Sequence, residues 1–366
     1  MKGAISCKFY ENPSRKWLEE SWVKLELCSE HGFFLSWAWI STWLDCFVKD
    51  HTVVVAKESE RVVGLGILVT QPANIREKHF RRIHHLHRTG VTEYDQIWIE
   101  CNDFLLVDEH RDKIRLQMIN CTLSWMGKWD KLVIGASNER DFKSVESSGF
   151  FKRDIWSAPS YLVDFDKLNS TSKTIHQSIS RNARYQINRS LKKYRLEGDI
   201  SLVQATKQDE KLGLLKVAAE YHKLRWGHQS GFHNKSFNEF HTKFIDRAKD
   251  SVELTRVQCG SETIAVVYNI SYQNRVYFYL SGINYHNNSK HIKPGIVSHY
   301  LLIDSAHKTG VACYDFMGGD ARYKRTFANV ESRQIVFSIE KSRLLYQIGN
   351  MLRCIKNKLL ERQSGV

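Results

Sequence analysis

One order of elements is read twice along this chain, and it limits the folds open to it more than any other feature. Each half runs helix, hairpin, strand, helix, strand, strand. In the first half Phe33, Trp37, Ile40, Trp43, Leu44 and Phe47 recur at three- and four-residue steps behind Ser36. This spacing predicts a helix over 36–50 with a broad buried face. Residues 52–56 and 62–69 form a hairpin about a turn at 58–61, then a strand is read at 96–107 and a helix at 110–126. A strand at 131–134, a short helix at 138–149 ended by Gly149, and a strand at 160–165 complete the half. The second half follows with helices at 209–226 and 236–249, a hairpin of 252–258 with 263–271, and a strand at 275–284. A helix over 296–308 is stopped by Gly310, and strands are read at 311–317 and 334–340. The repeat is one of architecture; the letters of the two halves do not align.

Between the halves, residues 174–197 carry Arg181, Arg184, Arg189, Lys192, Lys193 and Arg195, with Ile179, Ala183, Ile187 and Leu191 on one helical face. They read as a basic linking helix. Residues 344–360 read as a basic amphipathic tail, a helix packed on the body or a contact with a membrane surface. A length of 366 residues suits two domains, here 1–166 and 167–343, followed by the tail 344–366. The fold class expected is α/β (α+β).

Composition narrows the setting. Lys and Arg exceed Asp and Glu by 14, a field that draws phosphorylated small molecules, anionic headgroups or tRNA. The eight cysteines are dispersed without a CxxC pair and are read as reduced core thiols. The N-terminus has no apolar signal region. The most apolar run, 32–44, is too short to span a bilayer, which needs about 20 residues. A cytoplasmic protein, peripheral to the inner membrane if the tail engages it, is expected. His79, His84, His85 and His87 cluster without carboxylate or Cys companions, amid Arg81, Arg82 and Arg88. They read as a basic strand surface, and no metal is expected.

The block from Tyr277 to Asn329 carries the chemistry: strand, polar loop, Lys293-Pro294-Gly295, helix, strand, Gly318-Gly319, Tyr323-Lys324. Free N–H groups at the helix start, over Pro294, Gly295, Ile296, Val297 and Ser298, can receive a pyrophosphate. Pro294 fixes the turn into the helix, and Gly295 permits close approach. If the strands around Tyr279 and Tyr314 splay, their backbone can bond an extended ligand arm as an added strand. An ordinary β-α-β crossover has the same outline.

These motifs resemble the CelD/BcsL-type group of GNAT-fold acetyltransferases associated with cellulose biosynthesis. Lys293-Pro294-Gly295 is similar to that family's Pro-Gly before the helix. The run Tyr314-Asp315-Phe316-Met317-Gly318-Gly319-Asp320 with Tyr323-Lys324 is similar to its D-F-x-x-G and Y-K signatures. His222, Arg225 and Trp226 match its H-x-x-R-W, and the basic stretch from Ser180 its S-x-x-x-R. Trp37, Trp43 and Trp129-Asp130 match its first-half tryptophans. The chain departs from the pattern at Gly318, Phe327 and Lys293, and it lacks the usual Q/R-x-x-G-x-G/A phosphate signature. The resemblance implies two tandem GNAT-like domains in a FemABX-like arrangement, each a mixed, mostly antiparallel sheet flanked by helices. It implies acetyl-CoA or another acyl-CoA as co-substrate, and as acceptor a small molecule or glycan precursor of envelope or exopolysaccharide synthesis.

Individual residues keep two readings each. Asp315, in a buried strand, is a general base or one arm of an ion pair. His222 is a base or a structural histidine, with Arg225 on the same helical face. Trp226 reads as core. Tyr279 or Ser281 can protonate a departing thiolate. Lys324 and Tyr323 bind a substrate phosphate, or Lys324 pairs with Asp315 or Asp320. Cys313 reads as a core thiol. Two other functions stay open. One is aminoacyl transfer from charged tRNA, the only setting in which nucleic acid is a partner. The other is a non-catalytic scaffold in a polysaccharide-synthesis assembly.

Overall fold

The structure, a computed structural model, describes residues 4–73, 81–147, 150–285 and 292–341, with 347 and 351. Thirteen strands occur among these residues. The first seven are β1 (Ile5–Glu11), β2 (Thr52–Glu58), β3 (Arg61–Pro72), β4 (Arg82–Leu86), β5 (Leu105–Leu106), β6 (Lys131–Asn138) and β7 (Phe151–Asp164). The rest are β8 (Ile200–Gln204), β9 (Val252–Cys259), β10 (Glu262–Tyr272), β11 (Arg275–Ile283), β12 (Cys313–Gly318) and β13 (Val330–Glu340). The helices begin with α1 (Arg15–Glu26), α2 (Trp37–Phe47), α3 (Arg111–Trp125), α4 (Lys143–Ser147), α5 (Phe165–Asn169) and α6 (Ile175–Ser178). They continue with α7 (Arg181–Glu197), α8 (Gln208–Trp226), α9 (Lys235–Arg247), α10 (Pro294–Lys308) and α11 (Arg322–Phe327).

Two units divide the chain. The first is Met1–Trp37, Phe47–Ser157 and Gln334–Val366; the second is Ala38–Cys46 and Ala158–Arg333. The single cut expected at 166/167 is therefore corrected at both ends. Residues 38–46 join the second unit because Trp39 packs edge-on against Phe240 and Phe244, at 4.7 and 5.0 Å, while Arg247 bonds Ser41, Thr42 and Asp45. Residues from 334 onward join the first because Gln334–Glu340 pairs antiparallel with β6.

In the first unit β1, β2, β3 and β4 are antiparallel neighbours, β4 meets β6 in parallel, and β6 pairs with β13. In the second, β8, β9, β10 and β11 are antiparallel, β11 meets β12 in parallel, and β12 pairs antiparallel with the end of β7. Each unit's strands are thus mixed and mostly antiparallel with one parallel pair, as the repeated order predicts. The second unit's core joins the sheet to α7 and α10 through Ile187, Val297, Ile303, Phe278 and Phe316, all buried.

Several expectations are corrected. The strand read at 96–107 is a short 3-10 turn, Tyr94–Ile97, and the two-residue β5, because Trp98 and Cys101 take positive φ and break the extension. The linking helix is two helices. Ile179 is extended, and Ser180 starts α7 by accepting the Ala183 N–H at 3.2 Å. The histidine cluster is not a surface. His84 and His87 are buried, His84 beside Asp130 at 3.3 Å and His87 bonded to Asn102 at 3.0 Å; His79 lies outside the described residues. Of the cysteines, Cys259 and Cys313 are buried while Cys28 is exposed, and Cys354 lies outside the described residues. The tail 344–366 and Gly149 lie outside them too, save positions 347 and 351. Among the described residues no helix is long and apolar enough to cross a membrane.

Candidate functional site

The site grows from a fault in the sheet. β11 and β12 pair over three positions only, Arg275–Cys313, Val276–Tyr314 and Tyr277–Asp315, although both strands run on. Each is irregular where pairing stops. In β11 Phe278 faces Asn269 and Leu280 faces Tyr268, which leaves Tyr279 as an extra residue. In β12 Asp315 faces Leu162 and Met317 faces Tyr161, which leaves Phe316 extra. Bulges bend the strands that carry them. The Met317 N–H donates to the Asp315 carboxylate at 2.8 Å, and Met317 takes φ +60, so Asp315 clasps the bend in its own strand.

Beyond the divergence lies a cavity of about 850 Å³ lined wholly from the second unit. Its floor at one end is the start of α10. Pro294 is the first helical residue and has no N–H to offer. The N–H groups of Gly295 and Ile296 lack partners within the helix, whereas the Val297 N–H already reaches the Lys293 carbonyl at 3.2 Å. Both Pro294–Ile296 and Lys293 line the cavity. Val297 and Ser298, expected in the same set, are fully buried and do not; the usable donor set is shorter than the sequence suggested.

His222, Arg225, Ser281, Tyr323 and Lys324 line the cavity as well. His222 Nδ1 meets Ser230 Oγ at 2.8 Å, and burial holds its pKa below the ordinary imidazole value. Lys324 is buried and donates to the Gly318 carbonyl. Tyr279 and Asp315 are elsewhere. The Tyr279 hydroxyl is bonded to buried His241 Nε2 at 3.1 Å, among Trp39 and Tyr268. Asp315 pairs with Arg275 at 3.2 Å, and burial raises its pKa while Arg275 pulls it down.

Several contributors, Tyr285 among them, lie beyond the residues the sequence nominates. Ser180, Asn182 and Gln186 face the cavity from the first turns of α7, and His299 from α10. His299 stacks on Tyr323 with ring centres 4.5 Å apart and planes 3° from parallel. Burial, aided by Lys324, pushes its pKa down to about 3. Its spacing from Gly295, one helical turn, was the available signal. Trp226, read as core, is instead 52% exposed at the rim. Among the described residues no group of three His, Cys, Asp or Glu side chains is set to hold a metal ion.

A bent parallel pair opening onto a helix N-terminus defines a class, and residues 181–325 match the family described as an acetyltransferase (GNAT) domain. The matched stretch runs from α7 into α11. Solved structures extend the likeness. FemX is similar at 12% identity and TM-score 0.58, over 93% of this chain and 99% of its own. The C-terminal domain of a putative lysylphosphatidylglycerol synthetase from Agrobacterium fabrum is similar at 9% identity and TM-score 0.55, over 92% and 95%. L-PGS from Bacillus licheniformis is similar at 11% identity and TM-score 0.50, over 90% and 93%. The likeness is one of fold. No protein with a curated description matches the sequence.

Proposed function

We propose that this chain is an acyl-CoA-dependent acyltransferase that moves an acyl group, acetyl in the simplest case, to an amine or hydroxyl of a sugar, sugar-nucleotide or other envelope or exopolysaccharide precursor in the cytoplasm. The reading is carried by the divergence of β11 and β12 past Tyr277 and Asp315 into a cavity floored by the start of α10. The residues fit the donor. Gly295 and Ile296 offer N–H groups to a pyrophosphate with the helix dipole behind them, and Lys293 adds charge. Backbone edges freed by the divergence can bond a pantetheine arm.

The chemistry is direct transfer. The acceptor heteroatom forms a bond to the thioester carbonyl carbon and the C–S bond breaks. His222, held neutral by burial, accepts the proton from the acceptor through the ring nitrogen not engaged by Ser230. The Ser281 hydroxyl supplies a proton to the departing thiolate. Thermal unfolding with and without acetyl-CoA and longer acyl-CoAs tests the donor. Ligand at a hundredfold excess over Kd adds about 2.7 kcal/mol to the folded state. No shift with any acyl-CoA overturns the reading.

A second reading is transfer from charged tRNA. It is favoured by α7, whose first turns line the cavity and whose Arg181, Lys192 and Arg195 are exposed. It requires tRNA binding that weakens steeply with salt, and absence of binding at low salt removes it.

A further inference from the structure

We infer that the end of the cavity at Trp226 is the acceptor subsite and that it takes a pyranose carrying an anionic group, the chemistry of a glycosyl phosphate. The inference rests on the acyl-transfer reading above and names the class of its acceptor.

Two aromatic rings stand at this rim with much of their surface in water, Trp226 at 52% and Tyr285 at 37%. Both line the cavity. Such large apolar faces are costly to leave hydrated and are a common means of gripping a ring-shaped ligand at a pocket mouth. The Arg225 guanidinium lies over both, 4.8 Å from the Tyr285 centroid and 6.0 Å from that of Trp226. Among the described residues no carboxylate pairs with Arg225. Among the described residues the one carboxylate lining the cavity, Asp320, is engaged by Arg325 at 3.3 Å, outside the lining. Arg225 therefore presents positive charge with no internal anion to answer it, and phosphate suits a guanidinium fork. His222 stands beside Trp226 with ring centroids 6.1 Å apart, Ser281 lines the same cavity, and both can bond hydroxyls.

A flat apolar face, two hydroxyl partners and an uncompensated guanidinium together describe a sugar phosphate. A pyranose lays its axial C–H face on an aromatic ring while its equatorial hydroxyls reach sideways. A nucleobase stacks as well but brings no array of hydroxyls to His222 and Ser281.

Isothermal titration of the full chain with N-acetylglucosamine 1-phosphate, UMP and CoA separates these ligands. The sugar phosphate should bind the parent protein. Trp226→Ala should weaken it at least about tenfold, the loss of roughly one stacking contact. Trp226→Phe should keep it within about threefold because a ring remains. Arg225→Gln should weaken it similarly to Trp226→Ala, while CoA affinity stays within about twofold in both. Failure of the sugar phosphate to bind overturns the inference. So does UMP binding equally well with the same dependence on Trp226, or an equal loss of CoA affinity, which would assign the rim to the donor. CoA failing to bind the parent protein, in a separate titration, overturns the donor reading instead.

Discussion

Gly282 lies directly beneath Ala218: a Cβ at Gly282 would sit 2.4 Å from the Ala218 carbonyl oxygen and 2.6 Å from its Cα. That near-contact of β11 with the backbone of α8 sets how deeply the helix settles. His222 is one turn further along α8, so the seating of Ala218 fixes the imidazole over the cavity. Gly282→Ala should push the helix off the strand. We expect a loss of about 2–3 kcal/mol in urea unfolding. Displacing the base should lower kcat/KM by about a hundredfold. An active variant with parent-like stability would show that α8 does not rest on this strand.

At Gly295 stability and binding should move in opposite directions. The backbone there is unstrained, and an added Cβ meets only Tyr285 Oη at an ordinary 3.5 Å. Gly295→Asp puts a negative charge in the first turn of α10, which favours the helix by about 0.3–1 kcal/mol. The same charge repels a donor pyrophosphate, and CoA affinity should fall by more than about tenfold. Titration and melting on one sample read both signs. A variant that binds CoA as the parent does would move the phosphate away from this helix.

His222 predicts a pH profile. Burial lowers its pKa, so the ring is neutral at pH 7 and fit to accept a proton. The acid limb of kcat/KM should lie below the ordinary imidazole value of about 6.5 and should vanish in His222→Gln. Stability follows the same sign. The unfolded chain binds the proton more readily, so this contribution is present above the unfolded pKa and is lost as pH falls toward the folded one. An acid limb at or above the ordinary value would assign the base to another group.

The hydroxyls of Tyr279 and Ser281 should separate cleanly. The Tyr279 hydroxyl is bonded to buried His241, whose own pKa burial drives down to about 3. Tyr279→Phe should cost about 1 kcal/mol of stability and leave the rate within about twofold. Ser281→Ala should leave melting unchanged and lower kcat by about tenfold or more if it protonates the thiolate. The reverse pattern would exchange their roles.

The parts of the fold legible in the sequence are those fixed by local signals. Pro294 ahead of an apolar helix and Gly310 behind it, at φ +80, bound α10 closely. The hairpins of β2 with β3 and β9 with β10 follow from β-branched runs about short polar turns. β1 and β8 leave no period in the sequence because their apolar residues are few and half-buried, whereas α1 does carry one, in buried Leu18, Trp22 and Leu25 at four- and three-residue steps, which the reading passes over. His222, Arg225, Ser281, Tyr323 and Lys324 converge as a group. What separates Tyr279 from Ser281 is the bulge, and a bulge leaves no mark in a pattern of alternation. Trp226 read as core because a tryptophan at a helix end has the same letters whether it faces the sheet or a cavity.

Because residues 38–46 complete the second unit and residues from 334 onward complete the first, neither unit is a continuous stretch of chain. On a ribosome the earlier unit must wait, its edge at β6 open, until more than three hundred residues have emerged. A protease cut between 157 and 158 would not release two finished pieces. The C-terminal fragment would lack Trp39 against Phe240 and Phe244, and the N-terminal one would lack the strand that pairs with β6. Synthesis therefore ties the two halves of this repeat into one folding event, although each carries its own run of strands.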